Sequence, residues 1–124
     1  MKIWIVDDNK NLLEIIYEAL CMDHDVTLLD SGGALLSQID TTHGEDPEVL
    51  LVDWNLPGTA TALLLDKMVT KFPRCHTVIM SGDLTSSHLW PSSADRLEKP
   101  FKLAELKTFL HSLTRAPHYA NNEQ

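Results

Sequence analysis

The chain has 124 residues, a formal net charge of -8 and an apolar fraction of 44%, which together indicate one globular domain with a hydrophobic core of its own. A domain this acidic is poorly suited to bind the phosphate backbone of nucleic acids or an anionic membrane surface. From the composition we therefore expect neither nucleic-acid binding nor membrane binding. A basic partner or a divalent cation fits the charge better.

The cysteines and the N-terminal segment indicate the cytoplasm. Cys21 and Cys75 lack the spacing of metal ligands, so we expect two reduced thiols of a cytoplasmic protein. Asp7 and Asp8 interrupt the N-terminal apolar stretch before it could form a signal peptide. No apolar run elsewhere approaches the length of a membrane span, so we expect no membrane contact.

The first half of the chain predicts three strands and two helices. Residues 3–6 are apolar throughout and predict a buried strand, after which Asn9 is a suitable N-cap for a helix. Residues 25–29 predict a second strand, and residues 34–41 predict a helix after a glycine-rich turn. The apolar run 49–52 is typical of a central parallel strand that is covered on both faces.

The second half predicts a helix over residues 61–72, a strand over 77–80, a short strand over 96–98 and a helix over 103–113. Between the last two strands, Pro91 would break a helix, so we expect a short or irregular fourth helix there. We expect one domain over residues 1–114, with the polar residues 115–124 as a tail or the start of a linker.

Strands and helices thus alternate along the whole chain, which is typical of a parallel sheet with helices on both faces. Five strand–helix units at this length predict a doubly wound, flavodoxin-like (βα)5 fold with strand order 2-1-3-4-5. In that order, groups at the carboxyl ends of the first and third strands meet at the switch point of the sheet, where ligands bind.

Polar side chains follow the predicted strands at the points where they end. They are Asp7 and Asp8 after the first strand, Asp53 after the third, Ser81 after the fourth and Lys99 after the fifth. Because the carboxyl ends of parallel strands lie at one edge of a sheet, we expect these five side chains to converge. Each one alone is ordinary in a turn or helix cap; the ordered set of all of them indicates a functional site.

Three carboxylates in one pocket repel each other, and a hard divalent cation would relieve that repulsion. Oxygen ligands select Mg²⁺, with Mn²⁺ as the other suitable ion. A phosphoryl group bound beside the cation needs further positive charge and hydrogen-bond donors, which Lys99 and Ser81 offer. Asp53 is the best candidate for a nucleophile, because it ends the central strand and precedes a flexible loop.

The segments that carry these side chains resemble the receiver domains of two-component response regulators. The matching segments are Ile5–Asn9, Leu51–Gly58, Met80–Gly82 and Leu97–Phe101. The resemblance extends from about residue 2 to residue 113 and leaves only the tail uncovered.

The resemblance implies a cytoplasmic signalling module rather than a conventional enzyme. Asp53 would accept a phosphoryl group from a phosphohistidine on a sensor histidine kinase or a histidine phosphotransfer protein, and the domain would then switch conformation to control an output partner. Ser81 and Lys99 would contact the phosphoryl group, and the peptide bond before Pro100 would be cis. The domain would assist its own phosphorylation and dephosphorylation.

The resemblance also implies a set of Mg²⁺ ligands. Asp8 and Asp53 would bind the ion directly, together with the main-chain carbonyl of Asn55, and Asp7 would bind it through a water molecule. No direct nucleic-acid contact is implied for this segment.

The sequence departs from the family pattern on the side that transmits the signal. Arg96 occupies the position, three residues before the lysine, where the family usually carries a Tyr or Phe. Pro91 falls within the expected fourth helix, Trp90 is available to take over some packing, and residues 59–61 replace the usual apolar-Asp-Gly. These departures motivate an alternative: a receiver-like interaction module that signals without phosphate.

A small aspartyl-phosphate hydrolase is the third hypothesis. Hydrolases of the haloacid-dehalogenase type need a second Asp two residues after the nucleophile. Asn55 occupies that position here, which argues against this hypothesis.

Overall fold

The computed structural model describes residues 1–58, 60–82, 90–91 and 93–122, and it describes the side chains of these residues as far as residue 113. The elements, in chain order, are β1 (Lys2–Val6), α1 (Lys10–Leu20), β2 (Asp25–Leu29), α2 (Gly32–Thr41), β3 (Val49–Asp53), α3 (Thr61–Lys71), β4 (His76–Ser81), β5 (Asp95–Glu98) and α4 (Leu103–Asn122).

The five strands form one parallel sheet in the order β2-β1-β3-β4-β5. This is the predicted flavodoxin-like order, and the predicted fold class is confirmed. The first crossover runs from β1 outward to β2, and the chain then returns past β1 to β3. The resulting switch point lies between β1 and β3, whose C-terminal ends carry Asp7 and Asp53.

The central strands are apolar because both faces of the sheet are covered. All five residues of β3 are buried, as are four of the five residues of β1. Alternate side chains point to opposite faces, so Trp4 and Leu50 pack in one hydrophobic cluster with α2 and α3, whereas Ile3 and Leu51 pack in a second cluster with α1 and α4. The sheet therefore lies between two hydrophobic cores, and the side chains that follow its strands meet at its carboxyl edge.

Side-chain caps fix the starts of the first two helices. The Asn9 side-chain oxygen accepts a hydrogen bond from the N–H of Leu12 at 3.1 Å, which confirms the predicted N-cap. Ser31 does the same for α2, with its hydroxyl oxygen accepting from the N–H of Ala34 at 3.0 Å. The helix α2 therefore begins at Gly32, two residues earlier than predicted, because the predicted turn glycines are already helical.

The C-terminal helix extends further than predicted. The helix α4 begins at Leu103 as expected but continues to Asn122, beyond the predicted end at residue 113. The proposed domain boundary at residue 114 stays a prediction. The sequence also predicts a short or irregular helix between β4 and β5, which is a different segment from α4. This segment lies mostly outside the described residues. None of the helices in the described part of the chain combines the length and hydrophobicity of a membrane span.

The two cysteines are free and half-buried, as the sequence predicts for reduced thiols. Burial, with a smaller effect of the negative charge of Asp46, raises the pKa of the Cys75 thiol to about 12. At about pH 8 only about one Cys75 in ten thousand would then be a thiolate, the reactive form.

We therefore expect the thiol of Cys75 in a Cys21→Ser variant to react with iodoacetamide about 1000-fold more slowly in the folded protein than in urea. Mass spectrometry of timed samples measures the two rates. Equal rates in the folded and unfolded protein would contradict the assigned burial of this thiol.

Candidate functional site

Four strands deliver the predicted side chains to one edge of the sheet. Asp7 directly follows β1, Asp53 ends β3, Ser81 ends β4 and Lys99 directly follows β5. The register places Met80 beside Asp53 in the pairing of β3 with β4, and Ser81 beside Glu98 in the pairing of β4 with β5. The predicted convergence therefore follows from the parallel register.

The three carboxylates form a tight cluster. One oxygen atom from each of Asp7, Asp8 and Asp53 lies within 4.8 Å of the other two. Asp7 is fully buried and Asp53 is 6% exposed, whereas Asp8 lies on the surface. The cluster thus has two buried members and one member that is open to solvent.

Lys99 brings positive charge to the buried pair. Its Nζ donates a hydrogen bond to Asp7 Oδ2 at 2.5 Å and lies 3.7 Å from Asp53 Oδ2. The main-chain N–H of Lys99 donates to the carbonyl of Ser81 at 2.9 Å, which fixes the backbone at this point. The peptide bond between Lys99 and Pro100 is cis, as the resemblance implies.

Tight turns orient both buried carboxylates in the same way. Asp7 Oδ1 accepts the N–H of Asn9 at 2.9 Å, and Asp53 Oδ1 accepts the N–H of Asn55 at 3.1 Å. In each carboxylate the Oδ1 atom is held by a turn of its own segment, and the Oδ2 atom faces Lys99. The Oδ2 atom of Asp53 is therefore the oxygen that faces the ammonium of Lys99.

The environment of Asp53 disfavours its charged form. Burial raises the pKa of Asp53 above its usual value, and the charges of Asp7 and Asp8 raise it further. The N–H of Asn55 and the ammonium of Lys99 act in the opposite direction without cancelling the effect of burial. Ionised Asp53 therefore costs the folded protein stability, and a bound cation would relieve that cost.

Replacing Asp53 with the isosteric Asn is expected to stabilise the metal-free protein. Because the pKa of Asp53 is higher in the folded than in the unfolded state, the wild-type protein loses stability as the pH rises from the ordinary Asp value of about 3.9 through the raised one. Asp53→Asn should therefore melt a few degrees higher than wild type at neutral pH and at the same temperature near pH 3. Thermal melts with a chelator across this pH range measure the difference; a lower melting temperature for the variant at neutral pH would contradict the assigned shift.

The donor set fits a small divalent cation. Two ligands on opposite sides of Mg²⁺ are about 4.2 Å apart, since each bond is about 2.1 Å long, and the carboxylate oxygens already lie within 4.8 Å of one another. Asp8 and Asp53 are the residues that would hold the ion, with Asp7 next to them. Among the described residues, Asp7, Asp8 and Asp53 are the group of potential metal ligands whose oxygen atoms lie within 4.8 Å of one another.

The other predicted site residues, Ser81 and Asn55, also lie at the carboxyl ends of the strands. Ser81 is 1% exposed at the end of β4, and Asn55 lies in the turn after Asp53, where its N–H is already engaged. Arg96 is exposed on the edge strand β5, so the position that carries an aromatic residue in the family is on the surface here. The roles assigned to Ser81 and to the carbonyl of Asn55 stay predictions.

Sequence reasoning missed one contact beside the site. The ring of Trp54, the residue after Asp53, packs against the ring of Trp90 with their centroids 5.9 Å apart. The sequence offered Trp90 as a packing residue without a partner. Spacing alone could not pair two residues from different loops.

Solved structures with the same fold include response regulator receiver domains. The receiver domain of a Francisella response regulator superposes with a TM-score of 0.77 at 25% identity, covering 94% of this chain and 98% of that one. The chemotaxis response regulator CheY4 of Vibrio cholerae gives a TM-score of 0.76 at 15% identity, covering 90% of this chain and 97% of that one.

NtrX of Brucella abortus is a longer protein. It gives a TM-score of 0.76 at 22% identity over 99% of this chain but only 30% of that one. No protein-family model and no curated protein matches this chain by sequence. The structural neighbours confirm the predicted resemblance to receiver domains.

Proposed function

We propose that this chain is a phosphoacceptor receiver domain that takes a phosphoryl group on Asp53 in a Mg²⁺-dependent reaction. The observation that carries the proposal is the geometry of Asp53: a buried carboxylate whose Oδ2 atom faces the ammonium of Lys99 at 3.7 Å, inside a cluster of three acids. A structural ion pair would need neither the third carboxylate nor the unfavourable burial of Asp53.

The proposed phosphoryl transfer is a displacement at the phosphorus atom. Asp53 Oδ2 attacks the phosphorus atom, the P–N bond of a phosphohistidine donor breaks, and its electron pair returns to the imidazole. The product is a mixed carboxylic–phosphoric anhydride on Asp53. With acetyl phosphate as the donor, a P–O bond breaks instead and acetate leaves.

The chain's own groups bind and orient the reactants. Lys99 stabilises the charge on the phosphoryl oxygens after moving from Asp7, its 2.5 Å partner, toward Asp53. The turn N–H of Asn55 holds Oδ1, so that Oδ2 is presented to the phosphorus atom. Asp8 and Asp53 would hold Mg²⁺, which would supply electrostatic stabilisation of the transferred group.

The donor under this proposal is a sensor histidine kinase or a histidine phosphotransfer protein in the cytoplasm, and the readout is an output partner or domain. The chain is then a signalling module and not a conventional enzyme. Nothing in this role requires direct contact with nucleic acid or membrane.

The test is the intact mass of the protein after incubation with acetyl phosphate and Mg²⁺. We expect wild type to gain one phosphoryl group, and we expect no gain with a chelator or in Asp53→Asn. Asp66→Asn, which removes an exposed carboxylate on α3, is the matched control and should gain the group like wild type. A wild-type protein that stays unmodified, with a kinase donor as well, would refute the proposal.

A phosphate-independent interaction module is the second candidate, favoured by the exposed Arg96 in place of the aromatic switch residue. It predicts that Asp53→Asn binds the output partner as tightly as the phosphorylated wild type does. The proposed phosphoacceptor role predicts that partner binding differs between these two forms.

A further inference from the structure

The acceptor Asp53 is linked to the segment before β5 by an aromatic contact as well as by the ion pair described above. Trp54 follows Asp53 directly, and its ring lies against that of Trp90 at an interplanar angle of 53°. Trp90 precedes a turn into β5, in which the N–H of Ala94 donates to the carbonyl of Pro91 at 3.1 Å. The contact therefore joins the residue after the acceptor to the start of the edge strand.

The strand β5 leads back to the site at its other end. Lys99 directly follows β5 and contacts the carboxylates of Asp7 and Asp53. A movement of Lys99 toward Asp53 thus acts on one end of a four-residue strand whose other end adjoins the turn after Trp90. Asp53 is therefore connected to both ends of β5. Lys99 makes the connection at the C-terminal end of the strand, and the Trp54–Trp90 contact makes it at the N-terminal end.

The inward position of Trp90 includes an unfavourable element. Its indole Nε1 is buried without a hydrogen-bond partner in the described part of the chain. A buried donor without a partner costs free energy, whereas an aromatic pair contributes stabilisation of the same order. The unpaired N–H therefore lowers the free-energy difference between this position of Trp90 and one in which its indole N–H is hydrated.

We infer that the Trp54–Trp90 contact transmits the state of Asp53 to the β4–β5 side of the domain, in a chain where Arg96 removes the usual aromatic residue. The inference rests on the proposed phosphorylation of Asp53. A phosphoryl group there draws Lys99 from Asp7, the strand β5 follows, and the indole N–H of Trp90 gains access to water.

The test uses the full chain labelled with 5-fluorotryptophan and observed by fluorine NMR. The chain contains three tryptophans, Trp4, Trp54 and Trp90, and single Trp→Phe variants assign their signals. Acetyl phosphate with Mg²⁺ should shift the Trp90 signal and increase its sensitivity to exchange of H2O for D2O. The signal of Trp4, which is buried in the core, should stay in place.

Trp54→Leu is the decisive variant. It should gain the phosphoryl group by intact mass like wild type, but its Trp90 signal should no longer respond. Trp4→Phe changes a tryptophan that lies in the core outside this contact, and it should leave the Trp90 response intact. A Trp90 signal that stays unchanged on phosphorylated wild type, or that responds equally in Trp54→Leu, would overturn the inference while leaving the proposed function in place.

A second measurement covers the case in which Trp54→Leu does not fold. Trp90→Phe keeps an aromatic ring but has no N–H donor, so its denaturation midpoint should equal or exceed that of wild type, whereas Trp4→Phe should lower it. A midpoint for Trp90→Phe as low as that of Trp4→Phe would contradict the unpaired N–H on which the inference depends. If mass spectrometry detects no phosphoryl group on wild type, the proposed function fails and this inference fails with it.

Discussion

Lys99→Met is expected to lower the free energy of unfolding by about 2–3 kcal/mol and to slow phosphorylation by acetyl phosphate at least about 100-fold. The loss of stability arises because Asp7 is fully buried and Lys99 Nζ is its 2.5 Å partner. Methionine keeps the length of the side chain but leaves a buried carboxylate unpaired. The slower reaction is expected because the ammonium of Lys99 lies 3.7 Å from Asp53 Oδ2, the oxygen that we propose accepts the phosphoryl group.

Two further variants separate these effects. Lys102→Met removes an exposed lysine three residues away, and it should change neither stability nor rate appreciably. Asp7→Asn combined with Lys99→Met removes the unpaired charge, so most of the lost stability should return while the reaction stays slow. Urea denaturation without metal and timed intact-mass measurements give the two quantities. If the two lysine variants were equally stable, the ion pair with Asp7 would not be a structural element.

Asp8→Asn is expected to weaken Mg²⁺ binding at least about tenfold without lowering the stability of the metal-free protein. Asp8 is the exposed member of the acid cluster, so its carboxylate contributes charge to a cation while its removal leaves no buried group unpaired. Removing one of three mutually repelling charges should, if anything, stabilise the metal-free fold by up to about 1 kcal/mol.

Calorimetric titration with MgCl2 and urea denaturation in chelator measure the two effects of this variant. Asp66→Asn makes the same change of charge on an exposed residue of α3 and should leave Mg²⁺ affinity at the wild-type value. An Asp8→Asn protein that binds Mg²⁺ as tightly as wild type would show that the cluster is not the cation site.

The contrast between the two substitutions follows from burial. Lys99 holds the charge of a fully buried carboxylate, so its removal affects folding and chemistry together. Asp8 is open to solvent, so its removal is expected to weaken cation binding without destabilising the fold. Measured side by side, the two variants separate the structural part of the site from the part that serves only the reaction.

The sequence by itself determined the fold class and indicated which side chains meet at one edge of the sheet. The alternation of apolar runs with helical periodicity predicted five strand–helix units, and a parallel sheet must bring the ends of its strands to one edge. Asp7, Asp53, Ser81 and Lys99 could therefore be placed together before any coordinates. These features depend on the local sequence pattern and on a topological rule, and both can be applied to the amino-acid sequence alone.

The tertiary structure alone decided which of those groups touch and how burial affects the ionisation of Asp53. That Lys99 donates to Asp7 at 2.5 Å and lies 3.7 Å from Asp53, and that burial raises the pKa of Asp53, depend on distances between segments that are far apart in the chain. The same holds for the packing of Trp54 on Trp90. The local sequence pattern carries no information on such contacts, because they depend on how segments that are distant in sequence pack against each other in the folded chain.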